Sequence, residues 1–253
     1  MIKEQLLYGV HALTEALQSA TPVNMIYLKK GLSSDEVRTI RQLARDAEVP
    51  IKEVPLEKLN RLTRKAHQGC VAVASPIEYT HLEQLVPMLF EQGKEPLLMV
   101  LDELTDVRNF GAIARSAECF GCHGIIITQY NNVSVTADAV NASAGALLRI
   151  PVARVAALPK ALSYLKESGI RLAAASEKGS LSCTEAPLSG PLALIMGNEH
   201  HGIAERTLSF ADLTVTIPMI GRISSLNVSV AAGILLFEAA RQRSNQASTN
   251  HNK

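Results

Sequence analysis

The feature that most constrains the fold is an alternation of short apolar runs and helical segments, which begins at Glu95 and continues almost to the end of the chain. Runs such as PLLMVLD and PLALIMG have the length of single strands and lack alternating polar residues, as expected of strands buried on both faces. Strands that are separated by helices pair in parallel and need helices on both faces of the sheet. The sequence therefore predicts an α/β domain with a parallel sheet over residues 96–243.

A smaller unit with mixed helix and strand signals precedes this domain. Residues 1–76 contain the helical patterns YGVHALTEALQS, DEVRTIRQLARDAE and LEKLNRLTRKA and the strand patterns VNMIYL and GCVAVAS, which predict a small α/β domain. Residues 77–95 are predicted to be a linker with one short helix, and the polar residues 244–253 a disordered tail.

The bulk composition is that of a soluble globular protein. Hydrophobic residues make up 47% of the 253 residues, and the formal net charge is +1. No apolar run reaches the roughly 18–20 residues of a membrane span, and the amino terminus does not have the pattern of a secretory signal. These observations predict a cytoplasmic protein that does not associate with a membrane.

Cysteine usage predicts neither a disulfide framework nor a metal centre. The four cysteines are too few and too scattered for a framework of disulfides. Cys119, Cys122 and His123 form CFGCH, which is the spelling of a c-type haem attachment site. The simpler interpretation is that a helix closes at Cys119 and Phe120 and ends at Gly121, and no metal is expected.

The positive charge is concentrated in the first unit. Residues 1–76 hold 11 Lys and Arg against 8 Asp and Glu, and Arg61, Arg64, Lys65 and His67 lie close together in the sequence. This cluster fits a surface that contacts RNA phosphates, and it fits a solvated helix face equally well.

Three strands of the larger domain end in unusual loops. LLMVLD is followed by ELTDVRNFGAIARSA, LALIM by GNEHHGI, and LTVTI by PMIGRISSLNVS. Ligands of parallel α/β sheets bind beyond the carboxyl ends of the strands. We therefore expect these three loops to form one pocket.

The first two loops carry candidate ligand-binding residues. Asn109 is predicted to cap the helix NFGAIARSAECF, and Gly111 to keep one face of that helix open so that Arg115 can reach a ligand. The alternative for Arg115 is a surface ion pair with Glu118. In the second loop, Gly197 and Gly202 bracket NEHH, which predicts either a close approach of backbone to a ligand or an ordinary turn.

The third loop leads into an apolar helix whose first turn is polar. Ser224 or Ser225 is predicted to cap this helix, and Asn227 to lie within its first turn. Capping alone does not explain Asn227 and Ser229, because buried polar groups need partners. The polar turn therefore indicates a binding site. The chain contains neither GxGxxG after a strand nor GxxxxGK[ST], which disfavours a conventional dinucleotide site and a phosphate-binding loop.

The segments NFGAIARSA, IMGNEHHGI and IPMIGRISSLNVSVAAGILLFE resemble, in this order and spacing, the three motifs of the SpoU (TrmH-like) RNA ribose methyltransferases. This resemblance implies a carboxyl-terminal SPOUT-type α/β domain with a deep trefoil knot, which binds S-adenosylmethionine (AdoMet) and forms a homodimer through the knot region. The residues that match the family's backbone contacts to the cofactor are Gly197, Ile217 and Leu226. The residues that match its functional polar positions are Asn109, Arg115, Glu199, Ser225 and Asn227.

The amino-terminal segments YGVHALTEAL and HQGCVAV resemble the substrate-binding domain of the RlmB-type enzymes. This implies methylation of the ribose 2′-oxygen of a guanosine in 23S ribosomal RNA. Three alternatives stay open at this point: another RNA site methylated by the same core, a non-catalytic RNA-binding or ribosome-assembly factor, and a nicotinamide or flavin enzyme.

Overall fold

The chain divides into two units in the computed structural model, which describes residues 5–250. The first unit extends to Glu78 and also includes Ser134–Asp138. The second holds Tyr79–Val133 and the chain from Ala139 onward.

The first unit is a small α/β domain, as its mixed pattern predicts. Its sheet has the strand order β1-β4-β2-β3, in which β2 pairs antiparallel with β4 and parallel with β3. The strands are β1 (Leu6–Tyr8), β2 (Val23–Lys29), β3 (Ile51–Val54) and β4 (Cys70–Ala74). The helices are α1 (Val10–Gln18), α2 (Asp35–Asp46) and α3 (Leu56–Leu62).

Local features account for one helix start and one helix end in this unit. The hydroxyl of Ser34 accepts a hydrogen bond from the Val37 amide and caps α2. The helix predicted over LEKLNRLTRKA ends earlier, at Leu62, because Thr63 has extended dihedral angles. Strands β1 and β3 are so short, at 3 and 4 residues, that no alternating pattern revealed them.

The second unit is built on the predicted parallel sheet. In the described part of the chain this sheet has seven strands in the order β7-β6-β5-β10-β8-β11-β9, and every pair is parallel. The strands are β5 (Leu97–Leu101), β6 (Gly124–Thr128), β7 (Val152–Val155), β8 (Arg171–Ala175), β9 (Leu181–Ser182), β10 (Leu192–Met196) and β11 (Leu213–Thr216). All residues of β5 and β10 are buried, which accounts for their continuous apolar runs.

Helices cover this sheet. They are α4 (Leu82–Glu91), α5 (Val107–Cys119), α6 (Ala137–Ala142), α7 (Leu158–Glu167), α8 (Glu205–Leu208) and α9 (Val228–Asn250). Helix α4 lies within the segment predicted as a linker, and its buried face packs into the core of the second unit. The helix predicted over TADAVNASAGALLR is interrupted at Gly145, which has a φ of 86° and precedes a short 3₁₀ turn. Within residues 5–250, no helix combines the length and hydropathy of a membrane span.

The last helix is longer than the sequence pattern suggests. We predicted a disordered tail over residues 244–253, but α9 continues through this boundary to Asn250, and residues 251–253 lie outside the described residues. The helix is held before the tail begins, because Gln242 accepts a hydrogen bond from the Leu188 amide and donates one to the Ala186 carbonyl.

Arg243 is a second anchor of this helix. Its guanidinium is half-buried and donates hydrogen bonds to the carbonyl oxygens of Glu95, Pro96 and Gly190. Two of these carbonyls precede β5 and the third precedes β10, so one side chain joins the last helix to the amino ends of two central strands.

Replacing Arg243 by methionine should destabilise the second unit, because two partly buried carbonyl groups, those of Pro96 and Gly190, lose a charged donor. We expect a loss of about 3 kcal/mol in the free energy of unfolding. For a domain of this size, that loss corresponds to a fall in Tm of roughly 6–12 °C, measurable by calorimetry.

Arg171→Met is the matched control, because the exposed Arg171 donates to a single backbone carbonyl, that of Pro187. We expect this control to change Tm by little. Equal effects of the two substitutions would contradict the role of Arg243.

Candidate active site

The three predicted loops meet at the carboxyl edge of the sheet. β5 and β10 are neighbours, and the Asp102 amide at the exit of β5 donates to the Met196 carbonyl at the end of β10. Asn109 Nδ2 donates to Glu199 Oε1 at 2.9 Å, and Asn227 Nδ2 donates to Asn109 Oδ1 at 3.0 Å. One polar side chain from each loop therefore takes part in a continuous hydrogen-bonded chain.

Asn109 is the centre of this chain, but it is not the helix cap that we predicted. Helix α5 begins at Val107, and the cap is Asp106, whose Oδ1 accepts the Asn109 amide at 2.8 Å. Aspartate and asparagine are about equally good caps, so the sequence did not distinguish them. Because Asp106 caps the helix, the Asn109 side chain is available to both other loops.

Asn227 is also placed differently from our prediction. We expected Ser224 or Ser225 to cap the last helix, but Asn227 precedes its first residue and satisfies the exposed amides there. Asn227 Oδ1 accepts the Ser229 amide at 2.9 Å and the Ser229 hydroxyl at 2.6 Å. This explains the polar turn, because Ser229 supports the amide that reaches Asn109.

The carboxylate of Glu199 fixes the direction of the whole chain. An ionised carboxylate only accepts hydrogen bonds, so the neighbouring amides must present their NH₂ groups toward it. Within the described residues, Oε1 of Glu199 binds Asn109 and Oε2 accepts no protein hydrogen bond. The half-buried Glu199 therefore has one oxygen available to a substrate proton.

Arg115 lies exposed on α5, and its guanidinium makes no ion pair within residues 5–245. The alternative that we considered, a pair with Glu118, is wrong, because Glu118 lies 3.8 Å from Arg149 instead. A guanidinium offers five donors in a planar fork, which suits a phosphate or a developing oxyanion.

The expectation that Gly111 keeps a helix face open is wrong. A Cβ atom at Gly111 would lie 2.4 Å from the Ala142 Cβ and 2.9 Å from the Ser143 amide nitrogen. Gly111 thus allows α5 to pack closely against the end of α6, and no space for a ligand remains at Gly111 itself.

Gly197 and Gly202 close the second loop on itself. The amide and carbonyl of Asn198 pair with the carbonyl and amide of Gly202, both at 2.9 Å. A Cβ atom on the buried Gly197 would lie 2.1 Å from the carbonyl carbon of Gly202. Gly197 is therefore required by the close approach of two backbone segments.

His200 and His201 at the tip of this loop are both exposed. Their ring centroids lie 6.3 Å apart. In the part of the chain that the structure describes, no group of three or more His, Cys, Asp and Glu has the arrangement of a metal site.

The third loop exposes both backbone and apolar side chains. Residues 218–226 lie outside helices and strands, and their backbone groups make no hydrogen bond to the described residues. Ile220 and Ile223 are exposed to 104% and 75%, next to the half-buried Ile217 and the exposed Leu226. Free backbone groups beside apolar side chains fit a ligand with an apolar face and hydrogen-bonding edges, such as a nucleoside.

The segment CFGCH is the end of a helix, as the simpler interpretation predicted. Helix α5 closes at Cys119, and Gly121 has a φ of 71°. The Cys122 thiol donates to the Leu97 and Gly124 carbonyls, and burial raises its pKa to about 12. His123 Nδ1 accepts the Leu97 amide. Both side chains therefore pack at the amino end of the sheet.

Two functional neighbours were missed in the sequence. Asp106 caps α5, and Asp102, which is 2% exposed, accepts the Ala204 amide through Oδ2 at 3.0 Å. The sequence placed both carboxylates in the loop after β5 but gave no signal for their partners.

Comparison with known proteins identifies the families that both units match. Residues 96–237 match the model of the SpoU rRNA methylase family. Residues 6–80 match the model of the RNA 2′-O ribose methyltransferase substrate-binding domain.

Individual relatives span nearly the whole chain. An uncharacterized tRNA/rRNA methyltransferase of Mycobacterium sp. (strain KMS) is 37% identical over 94% of this chain and 77% of its own length. A putative TrmH-family tRNA/rRNA methyltransferase of Staphylococcus haemolyticus (strain JCSC1435) is 32% identical over 96% of this chain and 97% of its own length. The crystal structure of the SpoU methyltransferase AviRb from Streptomyces viridochromogenes, in complex with AdoMet, has a TM-score of 0.60 at 27% identity and covers 94% of this chain and 90% of that one.

These matches confirm the resemblance, the α/β SPOUT-type fold with an amino-terminal substrate-binding domain, and AdoMet as the cofactor. The chain therefore belongs to the SpoU family of AdoMet-dependent RNA 2′-O-ribose methyltransferases.

Proposed function

We propose that this chain methylates the ribose 2′-oxygen of a guanosine in 23S ribosomal RNA, in the cytoplasm. The catalytic part of this proposal rests on the hydrogen-bonded chain Glu199–Asn109–Asn227, which joins the three loops. The same unit carries Arg115, which is exposed and makes no ion pair with the described residues. The guanosine and 23S RNA are supported by the resemblance of the amino-terminal unit to the RlmB-type substrate-binding domain. The relatives are named for both tRNA and rRNA, so another RNA site is the second candidate.

The residues present fit AdoMet in the second and third loops. By the family's pattern, backbone groups at Gly197, Ile217 and Leu226 hold its adenosine part, and the free backbone of residues 218–226 offers further contacts. When bound, AdoMet supplies a sulfonium methyl group that needs no further activation. The protein therefore has to position and activate the ribose hydroxyl.

Glu199 is the proposed proton acceptor. A ribose hydroxyl is a weak nucleophile at neutral pH, so transfer of its proton to a positioned base accelerates attack. One oxygen of Glu199 is held by Asn109, and the other has no partner among the described residues. A water molecule in the same position is the alternative base.

Arg115 is proposed to hold the RNA phosphate and to stabilise negative charge that develops on the 2′-oxygen. A guanidinium stays protonated at neutral pH, so a donor role is favoured over a role as base. Asn109, Asn227 and the exposed Ser225 are proposed to orient the ribose beside it.

The active protein is proposed to be a homodimer that contacts through the knot region. Helix α9 exposes Val230 and Phe237 to 49% and 53%. Phe237 stacks edge-to-face with Phe120 at 5.8 Å between ring centroids. An apolar helix face of this kind suits burial against a second copy.

RNA contact by the first unit is proposed to involve Arg61, Arg64 and Lys65, which are all exposed. Lys65 also lies 5.0 Å from the centre of the Tyr8 ring. His67 no longer belongs to this set. It is 8% exposed, its Nε2 is bonded to Asn60 and its Nδ1 accepts the Gly69 amide, so the ring is occupied within the chain.

Replacing Arg61, Arg64 and Lys65 together by glutamine should weaken RNA binding and flatten its dependence on salt. Each lost contact to single-stranded RNA reduces the slope of log K against log salt by about 0.7. Filter binding between low and moderate salt measures this slope. The control Arg38→Gln with Arg45→Gln removes exposed charges from α2 of the same unit. Equal slopes for wild type and the triple variant would refute the contact.

The site of modification is tested by mapping 2′-O-methyl groups in RNA from cells with and without this protein. We expect one 23S guanosine to lose its methyl group in the absence of the protein and to regain it with the wild-type chain. A change confined to tRNA or to another rRNA position would favour the second candidate. No change at any RNA position would favour a non-catalytic factor.

A further inference from the structure

Asn198 joins the loop after β10 to the loop after β5. Its Nδ2 donates to the Glu103 carbonyl at 2.8 Å, across a sequence separation of 95 residues. Its Oδ1 accepts the His200 amide at 2.8 Å, and its backbone pairs twice with Gly202. This half-buried side chain therefore shapes its own loop and holds it against the other one.

The partner of Asn198 is held in an unfavourable backbone conformation. Glu103 has a φ of 57°, in the left-handed region that residues other than glycine seldom adopt. Such a conformation costs on the order of 1–3 kcal/mol and persists where the surroundings impose it. The carbonyl that receives Asn198 thus belongs to a peptide that the fold constrains.

Besides the Asn109–Glu199 bond itself, two further side-chain contacts join the segment after β5 to the segment after β10, and neither is made within the turn that carries Glu199. The ion pair of Arg206 with Glu103 is largely exposed, at 67% and 41% of the side chains, and such pairs stabilise little. Asp102 accepts the Ala204 amide, which lies beyond the turn closed by Gly202. Asn198 is bonded within the turn and directly precedes Glu199.

We propose that Asn198 is a positioning residue that holds the Glu199 carboxylate at hydrogen-bonding distance from Asn109. This inference rests on the proposed role of Glu199. Glu199 directly follows Asn198, and Asn109 lies shortly after Glu103 in the sequence. The Asn198–Glu103 contact therefore determines how far the Glu199 carboxylate lies from the Asn109 side chain. Misplacement of a reacting group by about 1 Å can cost a hundredfold in rate.

The test is Asn198→Asp, which keeps the shape and the acceptor for His200 but removes the donor to Glu103. We expect kcat to fall about ten- to a hundredfold, with the KM for RNA unchanged and Tm within a few degrees of wild type. Asn198→Ala should give a similar loss, which separates the missing donor from the added charge. Arg206→Gln is the matched control and should keep kcat within about twofold, since it removes only the exposed contact.

A double-mutant cycle with Glu199→Gln distinguishes positioning from general structural support. If Asn198 acts through Glu199, the double variant should be no slower than Glu199→Gln alone. Full additivity of the two losses, or kcat within threefold of wild type for both Asn198 variants, would overturn the inference. Whether the wild-type protein methylates RNA at all tests the proposed function. The kcat values of the single and double variants relative to wild type test the positioning role of Asn198.

Discussion

Replacing Arg115 by lysine should lower the turnover number for RNA methylation by about a hundred- to a thousandfold, the usual effect of removing a donor that stabilises transition-state charge. Lysine keeps the charge but loses the planar fork, so it binds a phosphate without also donating to the 2′-oxygen. AdoMet affinity, measured by calorimetry, should stay within about threefold of wild type, because the proposed adenosine contacts come from other loops.

Arg149→Lys is the matched control for Arg115, since the Arg149 side chain is 78% exposed and, among the described residues, its guanidinium pairs with Glu118 alone, at 3.8 Å. We expect normal turnover from this control. Near-normal methylation by the Arg115 variant would show that its guanidinium is not needed for the chemical step.

Replacing Gly197 by alanine should impair both AdoMet binding and turnover. The added Cβ would lie 2.1 Å from the Gly202 carbonyl carbon and 2.3 Å from its oxygen, so backbone must move. Overpacking of this kind costs about 1–3 kcal/mol. Because the loop proposed to hold adenosine has to absorb this movement, the affinity for AdoMet should drop about ten- to a hundredfold. The turnover number should drop further, because Glu199 lies in the same loop and moves with it.

Gly93→Ala provides the control for this substitution. Gly93 has a φ of 68°, and a Cβ atom there would have no neighbour within 4 Å. Alanine at Gly93 should lower stability slightly and leave AdoMet affinity unchanged. If Gly197→Ala also binds AdoMet normally, the second loop does not hold the cofactor.

The sheet could be predicted from the sequence because its strands are buried on both faces. Such strands need apolar residues at every position, so β5 and β10 appear as unbroken runs and their exits mark the carboxyl edge. The two-residue strand β9 carries too little pattern to be found in this way. The convergence of the three loops followed from this topology alone.

The partners within the site could not be predicted. Adjacent cap-forming residues compete, and Asp106 and Asn227 cap their helices where we expected Asn109 and a serine. The bond between Asn109 and Glu199 spans 90 residues and depends on side-chain positions that spacing does not contain. The sequence suggested an open helix face at Gly111, because the absence of a side chain does not show which neighbour fills the space. In the structure that neighbour is Ala142.

The end of the chain was misjudged for a related reason. Polar residues after 243 suggest disorder, but a helix that is already anchored extends at little cost. Gln242 and Arg243 provide that anchor through backbone groups far away in sequence. The polar composition of residues 244–253 contains no information about these contacts, so it could not predict that the helix continues.

The central claim is that three loops and Arg115 direct a methyl group from AdoMet to a ribose oxygen. The direct measurement incubates the purified protein with methyl-labelled AdoMet and 23S rRNA from cells lacking it, both free and in ribosomal precursors, and identifies the labelled nucleoside by mass spectrometry. We predict 2′-O-methylguanosine with the wild-type protein and almost none with Arg115→Lys. Label on a base, or no label in RNA although AdoMet is bound, would contradict the account.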